Sequence, residues 1–490
     1  MENRQGQAAQ TVADMMRARE ARAAMQHALL TKYPGTCVVC LCMNIAGPVK
    51  TDAAIERAFA WGVQAVRDVL APHELCYDAQ VHEATGPEAM FCVRAQALEL
   101  KRRLCLLEDG DALGRLLDID VIAPDGDKVA RTALGLPARR CLLCGEPAPV
   151  CARSRAHSVD ALFARAHELI DAHFEQAFVR RTAQNAVRAL LCEVAVTPKP
   201  GLVDRANAGA HTDMDVFTFI DSACALAPYF ESCACTGLAF RQGNPEACFD
   251  ALRTPGLLAE AAMRRATGGV NTHKGAIFSL GIACAALGMG YEAAPGLGKS
   301  EACQSGEGQS SGKDDDGRAD VAAALLRCGE MTRGPVQREF ERMDGGKGCT
   351  AGERLYCAQG VGGVRAEAAG GFASVREAAL PRLEACLAAG LNLNDASLCA
   401  LVALMARTQD TNALHRGGAE GARAMQQTAQ EIDRFIVEAL SCGKLPGMMG
   451  QVTERMRAWD EALSRARISP GGSADLLALA LLMHFASQGE

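Results

Sequence analysis

Asp118 and Asp120 stand two residues apart in GRLLDIDV (Gly114 to Val121). In an extended chain that spacing puts two carboxylates on one face. Two such carboxylates can hold Mg2+, which in turn neutralises charge on phosphate oxygens. A solvated strand face has the same pattern. Lys50 follows a Gly-Pro loop, AGPVK, at the end of an apolar run. A loop of that kind brings a cation and backbone N–H groups near phosphate, though it suits a plain surface lysine equally. Arg115, just before the carboxylates, could clamp phosphate as well. In RRCLLCGEPAPVCARSRAHS (Arg139 to Ser158), Cys141, Cys144, Cys151 and His157 offer three thiolates and an imidazole, a donor set suited to a structural Zn2+. The C-x2-C opening is a metal spacing, but the third and fourth positions match no standard finger, and packed thiols are the other reading.

More groups of this sort lie further along the chain. In TPKPGLVDRANAGAHTDMDVFTF (Thr197 to Phe219), two prolines hold Lys199 in an extended loop, and Asp204, His211, Asp213 and Asp215 follow. Asp213 and Asp215 precede a helix expected from near Val216. One of them suits its N-cap, and the rest of the set exceeds what a cap requires. In GGVNTHKGAIFSLG (Gly268 to Gly281), Asn271, Thr272, His273 and Lys274 open an apolar helix. A helix N-terminus with a lysine is an anion site, although Thr272 could simply cap a polar loop there. TAGERLY and VRAEAAGGF add Glu353, Arg354, Arg365 and Glu367; QDTNALHRGG adds Asp410, Asn412, His415 and Arg416; SPGGSADLLA adds Asp475. Each alone suits a cap or a surface ion pair. Together they are polar, Gly-flanked clusters at the ends of apolar helices, which a helical bundle can gather into one acidic, metal-binding mouth.

The elements that must position these groups change character along the chain. Residues 1 to about 30 have a helical pattern, Thr36 to Ile45 reads as a buried strand, and residues 52 to 70 return to helical periodicity. Leu117, Ile119 and Val121 share one side of a further strand, and PDGD (Pro124 to Asp127) should close it as a hairpin turn. From about Ser158 strand signals vanish. The expected fold is therefore multidomain: an N-terminal α/β (α+β) domain over 1–178, then an all-α helical-bundle domain over 179–490. Gly296 to Asp320 is low-complexity and reads as a disordered loop. GLGKS within it falls short of a phosphate loop, because Ala293 stands where the pattern needs glycine.

Composition removes several function classes. The 490 residues carry Lys+Arg 51 against Asp+Glu 58, a net charge of −7, so a basic nucleic-acid footprint is absent. Aromatic residues at 4% leave little for base stacking. MENRQGQAAQ is polar and does not read as a signal peptide. The apolar stretches at Ala276 to Met289 and Leu476 to Ala486 are shorter than the about 18 residues a membrane span needs. The 22 cysteines, many in apolar runs such as CVVCLC, fit reduced thiols in a cytoplasmic protein.

MNIAGPVKT, GRLLDIDV and RRCLLCGEPAPVCARSRAHS, in that order, resemble citrate lyase holo-acyl-carrier-protein synthase, the apo-citrate lyase phosphoribosyl-dephospho-CoA transferase, over roughly residues 15 to 175. TPKPGLVD, DMD, GVNTHKGAIFSLG, GERLY, DTN with RGG, and PGGSADLLA resemble triphosphoribosyl-dephospho-CoA synthase over about residues 183 to 490. The resemblance implies a bifunctional transferase. Its second half would join ATP to 3'-dephospho-CoA and expel adenine. Its first, nucleotidyltransferase-like half would pass the phosphoribosyl-dephospho-CoA group to a serine of the apo-acyl carrier protein (gamma subunit) of citrate lyase and release diphosphate. By analogy Asp118 and Asp120 would hold Mg2+ (or Mn2+), with Lys50 and Arg115 facing the triphosphate. Asp204, Asp213, Asp215 and Asp410 would share catalytic duties in the second half, Asp213 and Asp215 with a metal. Lys199, His273, Lys274 and Arg416 would hold phosphates there. A second reading is a Mg2+-dependent N-glycoside hydrolase fused to a zinc-stapled interaction domain. No nucleic acid and no membrane is expected as a partner.

Overall fold

A computed structural model of the chain describes residues 9–292, 320–343 and 361–488. The described residues fall into two compact units, one up to Gln176 and one from Ala177.

In the first unit α1 (Val12–Lys32) leads to β1 (Cys37–Met43), α2 (Ala53–Leu70), β2 (Glu74–Glu83), β3 (Gly86–Arg94), α3 (Ala97–Gly110) and β4 (Leu117–Ile122). The strands form one antiparallel sheet in the order β2-β3-β1-β4, so the first unit is α+β. Strand alternation gives the sheet two faces. Val39, Leu41, Phe91, Val93, Leu117, Ile119 and Val121 pack on Phe59, Val63 and Val66 of α2 and on Leu100 and Leu104 of α3. Val38, Cys40, Met90, Cys92 and Ile122 face Leu29 of α1. Asp118 pairs across from Cys42, and Asp120 from Cys40, so both carboxylates lie on the α1 side of edge strand β4.

Two features of this unit differ from the sequence reading. The PDGD turn forms, with Gly126 N–H donating to the Ala123 carbonyl (2.9 Å), but the returning chain makes only an isolated bridge, Ile122 to Lys128. It is a turn without a second strand. The β2–β3 hairpin went unforeseen because β2, ELCYDAQVHE, is exposed along most of its length and lacks a clean apolar alternation.

After α4 (Ala148–Ser154), the long helix α5 (Val159–Ala195) passes from the first unit into the second. The described second unit is helical: α6 (Val216–Ala225), α7 (Ala227–Ala239), α8 (Pro245–Ala251), α9 (Arg253–Ala266), α10 (Lys274–Met289), α11 (Val321–Met343), α12 (Gly363–Ala369), α13 (Leu380–Ala388), α14 (Leu393–Arg407), α15 (Thr411–Ser441, kinked at Gly418), α16 (Leu445–Ala466) and α17 (Gly471–Ser487). Helices α10, α14 and α17 are apolar on nearly every side and buried, as expected of helices in the middle of a bundle. They pack on one another through α17, and more amphipathic helices such as α9, α15 and α16 surround them. Gly296 to Ser300, the low-complexity stretch up to residue 319, Glu353 and Arg354 lie outside the described residues. No helix among the described residues is long and apolar enough to cross a membrane.

Candidate functional site

The ends of the central helices of the second unit open on one cavity of about 1070 Å3. Its lining draws on the segments at 190–219, 271–278, 361–367, 407–416 and 469–478, so the structure brings together most of the Gly-flanked clusters of the sequence. Lys199, His273, Lys274, Asp410 and Arg416 all line it, as do Arg365, Glu367 and Asp475.

Lys199 is buried, and its ammonium group bonds both the Glu193 carbonyl (2.7 Å) and the Glu193 carboxylate. Burial pushes the Glu193 carboxyl up, against the opposing pull of Lys199. His273, at the N-terminus of α10, is 2% exposed. Thr272 Oγ1 donates to Ser222 Oγ (2.7 Å), and Ser222 Oγ in turn is hydrogen-bonded to His273 Nδ1 (2.7 Å). Nε2 is buried and has no partner among the described residues. Burial, helped by the Lys199 charge, holds His273 down to about 3, so the ring is neutral. The site therefore presents one unpartnered ring nitrogen on an imidazole fixed by Ser222 and by the edge-on ring of Phe219.

Asp410 caps α15. One carboxylate oxygen accepts from the Asn412 and Ala413 amides (2.9 and 3.1 Å), the other from the Ser473 amide and hydroxyl (2.7 and 3.0 Å). With both oxygens engaged, it ties α15 to α17. Asp475, just past the first turn of α17, sits against the start of α10: a Cβ on Gly275 would stand 2.0 Å from its Oδ2. Only glycine admits the carboxylate there. Burial first, then the nearby Glu193 and Asp410 charges, push Asp475 well above the usual carboxylate range, while the Ala276 amide pulls it down.

Three of the expected carboxylates lie outside this lining. Asp204 is buried in the loop wall and accepts from the amides of Lys199, Ala206 and Asn207 (2.9, 2.6 and 3.0 Å). Asp215 caps α6 through Thr218, and Asp213 is an exposed loop residue 3.9 Å from His211. Lys274 is paired with Glu260 (3.2 Å), and Arg416 donates to the Ala210 carbonyl (3.3 Å) beside His211. Sequence reasoning missed Glu193, Ser222 and Glu260. A signal existed for Glu193: a carboxylate inside the apolar helical run ALLCEVAV, six residues before Lys199.

In the first unit the candidate groups range from exposed Asp118 to the buried Cys141 and Cys151. Asp118 is exposed, and Asp120 pairs with Lys128 (2.6 Å). Beyond Cys42, on the same face, Glu88 of β3 is bonded by Arg22 of α1; neither was foreseen, because the hairpin carrying Glu88 was not. Lys50 donates to the Ile45 carbonyl, and burial, aided by the Arg19 charge, lowers its ammonium below the usual lysine range. Arg115, expected to clamp phosphate, donates to the carbonyls of Arg140 and Cys141 (2.8 and 3.0 Å). Cys141, Cys144, Cys151 and His157 do meet: one potential ligand atom from each lies within 4.8 Å of the others.

Comparison with known proteins decides the family. Residues 179–490 match the ATP:dephospho-CoA triphosphoribosyl transferase family, and residues 10–173 match the apo-citrate lyase phosphoribosyl-dephospho-CoA transferase family. The chain belongs to both families. Relatives with the same two-part span include Protein CitXG of Haemophilus influenzae, 33% identical over 95% of this chain and 94% of its own length. Protein CitXG of Leuconostoc mesenteroides subsp. cremoris is 30% identical over 95% of each. A probable 2-(5''-triphosphoribosyl)-3'-dephosphocoenzyme-A synthase of Vibrio cholerae is 40% identical over 61% of this chain and 86% of its own. The chain is thus a bifunctional transferase that makes and attaches the citrate lyase prosthetic group. These matches do not favour the hydrolase and interaction-domain reading.

Proposed function

We propose that the cavity of the second unit is where ATP meets 3'-dephospho-CoA, and that Asp475 is its acid–base group. The 2'-hydroxyl oxygen of dephospho-CoA bonds to C1' of the ATP ribose as the bond from C1' to adenine breaks. The transition state resembles an oxocarbenium ion, as in other glycosyl transfers. Adenine leaves with the bonding electron pair and takes a proton from Asp475. The 2'-hydroxyl proton then returns to the carboxylate, so the group ends as it began. Burial raises Asp475 and so favours its protonated form, the form the donor needs. Asp410, with both oxygens bonded, holds the scaffold. Lys199, Lys274 and Arg416 lie along the lining where the triphosphate needs cations, and His273 Nε2 hydrogen-bonds the substrate. Asp213 and Asp215 do not line the cavity, and the Asp215 carboxylate is engaged in its helix cap. They do not fit a metal at that site, and no step runs through one.

In the first unit the proposed chemistry is nucleotidyl transfer: the carrier serine hydroxyl attacks the α-phosphorus and diphosphate departs. Asp118 and Asp120 project from one face of an edge strand and fit a pair of Mg2+ ligands; the ion would neutralise charge on the phosphate oxygens. Lys50, on the loop after β1, is the cation proposed to face the triphosphate. Every described cysteine is a free thiol, which fits the proposed cytoplasmic setting. We place the division of labour near residue 178.

The observation that carries the synthase site is the unpartnered, buried Nε2 of His273 on the wall of a large cavity beside a raised Asp475. The test incubates the full chain with ATP, 3'-dephospho-CoA and Mg2+, with and without apo carrier, and follows adenine and diphosphate separately. Adenine should appear without carrier, and diphosphate only with it. Adenine release that ignores dephospho-CoA would overturn the synthase chemistry.

A further inference from the structure

The segment after β4 lacks a core of its own. Between Arg139 and Ser158 the buried residues are two thiols, Cys141 and Cys151, and no aliphatic side chain is buried. A short bridge between Arg140 and Pro147 folds the chain back, with the Cys141 amide donating to the Glu146 carbonyl (2.8 Å) and the Ala148 amide to the Arg139 carbonyl (2.8 Å). This turn presents Cys141 and Cys144. Helix α4 carries Cys151 and ends at Arg155, whose left-handed backbone (φ 48°) redirects the chain toward His157. Residues 139–158 are thus wrapped around their own sulfur atoms. A segment so poor in apolar burial needs another source of order, and a metal ion is the usual one in small folds.

The four side chains have the geometry for it. Cys144 Sγ lies 3.4 Å from Cys151 Sγ and 3.2 Å from His157 Nε2, and all four ligand atoms fall within 4.8 Å of one another. A tetrahedral Zn2+, with bonds of about 2.3 Å to sulfur and about 2.0 Å to nitrogen, holds its ligand atoms about 3.5 to 3.8 Å apart. We propose that Cys141, Cys144, Cys151 and His157 bind one structural Zn2+ in a closed Cys3His site. Four protein ligands leave no open position for substrate, so the ion organises the fold and takes no part in the reaction.

The clamp acts on the transferase strand. Arg139, two residues before the first ligand, donates to the Leu117 carbonyl (2.7 Å) and pairs with the buried Glu108. Glu108 in turn accepts the Ile119 amide (3.1 Å). Arg115 donates to the Arg140 and Cys141 carbonyls from the other side. The metal-bound segment therefore holds the residues on both sides of Asp118. Zinc binding stands apart from the proposed transfer chemistry.

Metal analysis of the full chain, purified without chelator, tests the site. One zinc per chain is expected. Co2+ supplied in its place should give intense visible d–d bands with a near-ultraviolet thiolate band. Cys144→Ser and Cys151→Ser should each lose the stoichiometric metal, while Cys442→Ser, an exposed thiol elsewhere, keeps it. Should the ligand variants fail to fold, the Co2+ spectrum of the unaltered chain still decides. Substoichiometric zinc with no thiolate–Co2+ band would overturn the proposal. So would a Cys144–Cys151 disulfide, seen as a loss of two mass units in the freshly purified protein.

Discussion

The two candidate sites differ most in their relation to water. In the second unit the candidate groups are sunk at the meeting point of helix ends, and burial shifts the titration of Glu193, His273, Asp410 and Asp475 from their ordinary values. In the first, Asp118 stands exposed on an edge strand and Asp120 is held by a surface lysine. The contrast follows the proposed substrates. An oxocarbenium-like centre reacts with any water that reaches it, so glycosyl transfer needs an enclosed site. A serine on a folded carrier protein cannot enter such a cavity, so its acceptor site must lie at an accessible edge. On the proposed reading, one chain carries a buried site for two small molecules and an accessible one for a protein.

The largest effect should come from Asp475. D475N should cut adenine release by about 100- to 10,000-fold, the range for losing an acid–base group, while diphosphate release from supplied intermediate and carrier stays unchanged. G275A should act in the same direction, since its Cβ would displace the Asp475 carboxylate. A normal adenine rate in both variants would remove Asp475 from the reaction. D118N should show the mirror image: transfer to carrier down by about 100-fold, adenine release intact. An equal loss of both products in D118N would break the division between the units.

A smaller effect concerns pH. His273 is held down to about 3, below its ordinary value of 6.5. The unfolded chain therefore binds its proton first. The stability this supplies is complete above about pH 6.5 and falls by about 1.4 kcal/mol per unit as pH drops toward 3. Denaturant titrations across that window should show this slope for the unaltered chain and its loss in H273Q. Asp475 works in the opposite sense: its raised value favours folding below the ordinary 3.8, a contribution lost as pH rises through the folded-state value. The smallest effect belongs to Asp215. Its carboxylate caps α6, so D215A should lower the melting temperature slightly and leave adenine release within about twofold. A loss of 100-fold or more in D215A would return Asp215 to the catalytic set.

The two units also differ in how much the sequence disclosed. Helix ends rich in Gly, Asp, His and Lys stood out in the second unit because the helices beside them are uniformly apolar, so each polar cluster was conspicuous. The pattern could not tell a carboxylate facing the cavity from one spent on its own backbone. Asp204, Asp215 and Asp410 look alike in the sequence; all three accept from backbone amides, and of them Asp410 alone lines the cavity. Glu193 and Ser222 depend on tertiary packing across helices. In the first unit β1 and β4 were legible from their apolar faces, whereas β2, exposed on most of its length, had no such signature. With the hairpin went Glu88 and its partner Arg22. The cysteine cluster was visible as an inventory of ligands; its convergence required the turn at Arg140 to Pro147 and the left-handed Arg155.

The central claim is that each unit holds one complete reaction. Mixing D475N and D118N chains with ATP, 3'-dephospho-CoA, Mg2+ and apo carrier tests it directly. Each variant alone should leave the carrier nearly unmodified. The mixture should restore modification, because D118N chains supply the intermediate and D475N chains attach it. A mixture as inactive as its parts, with both proteins folded, would contradict two separable sites.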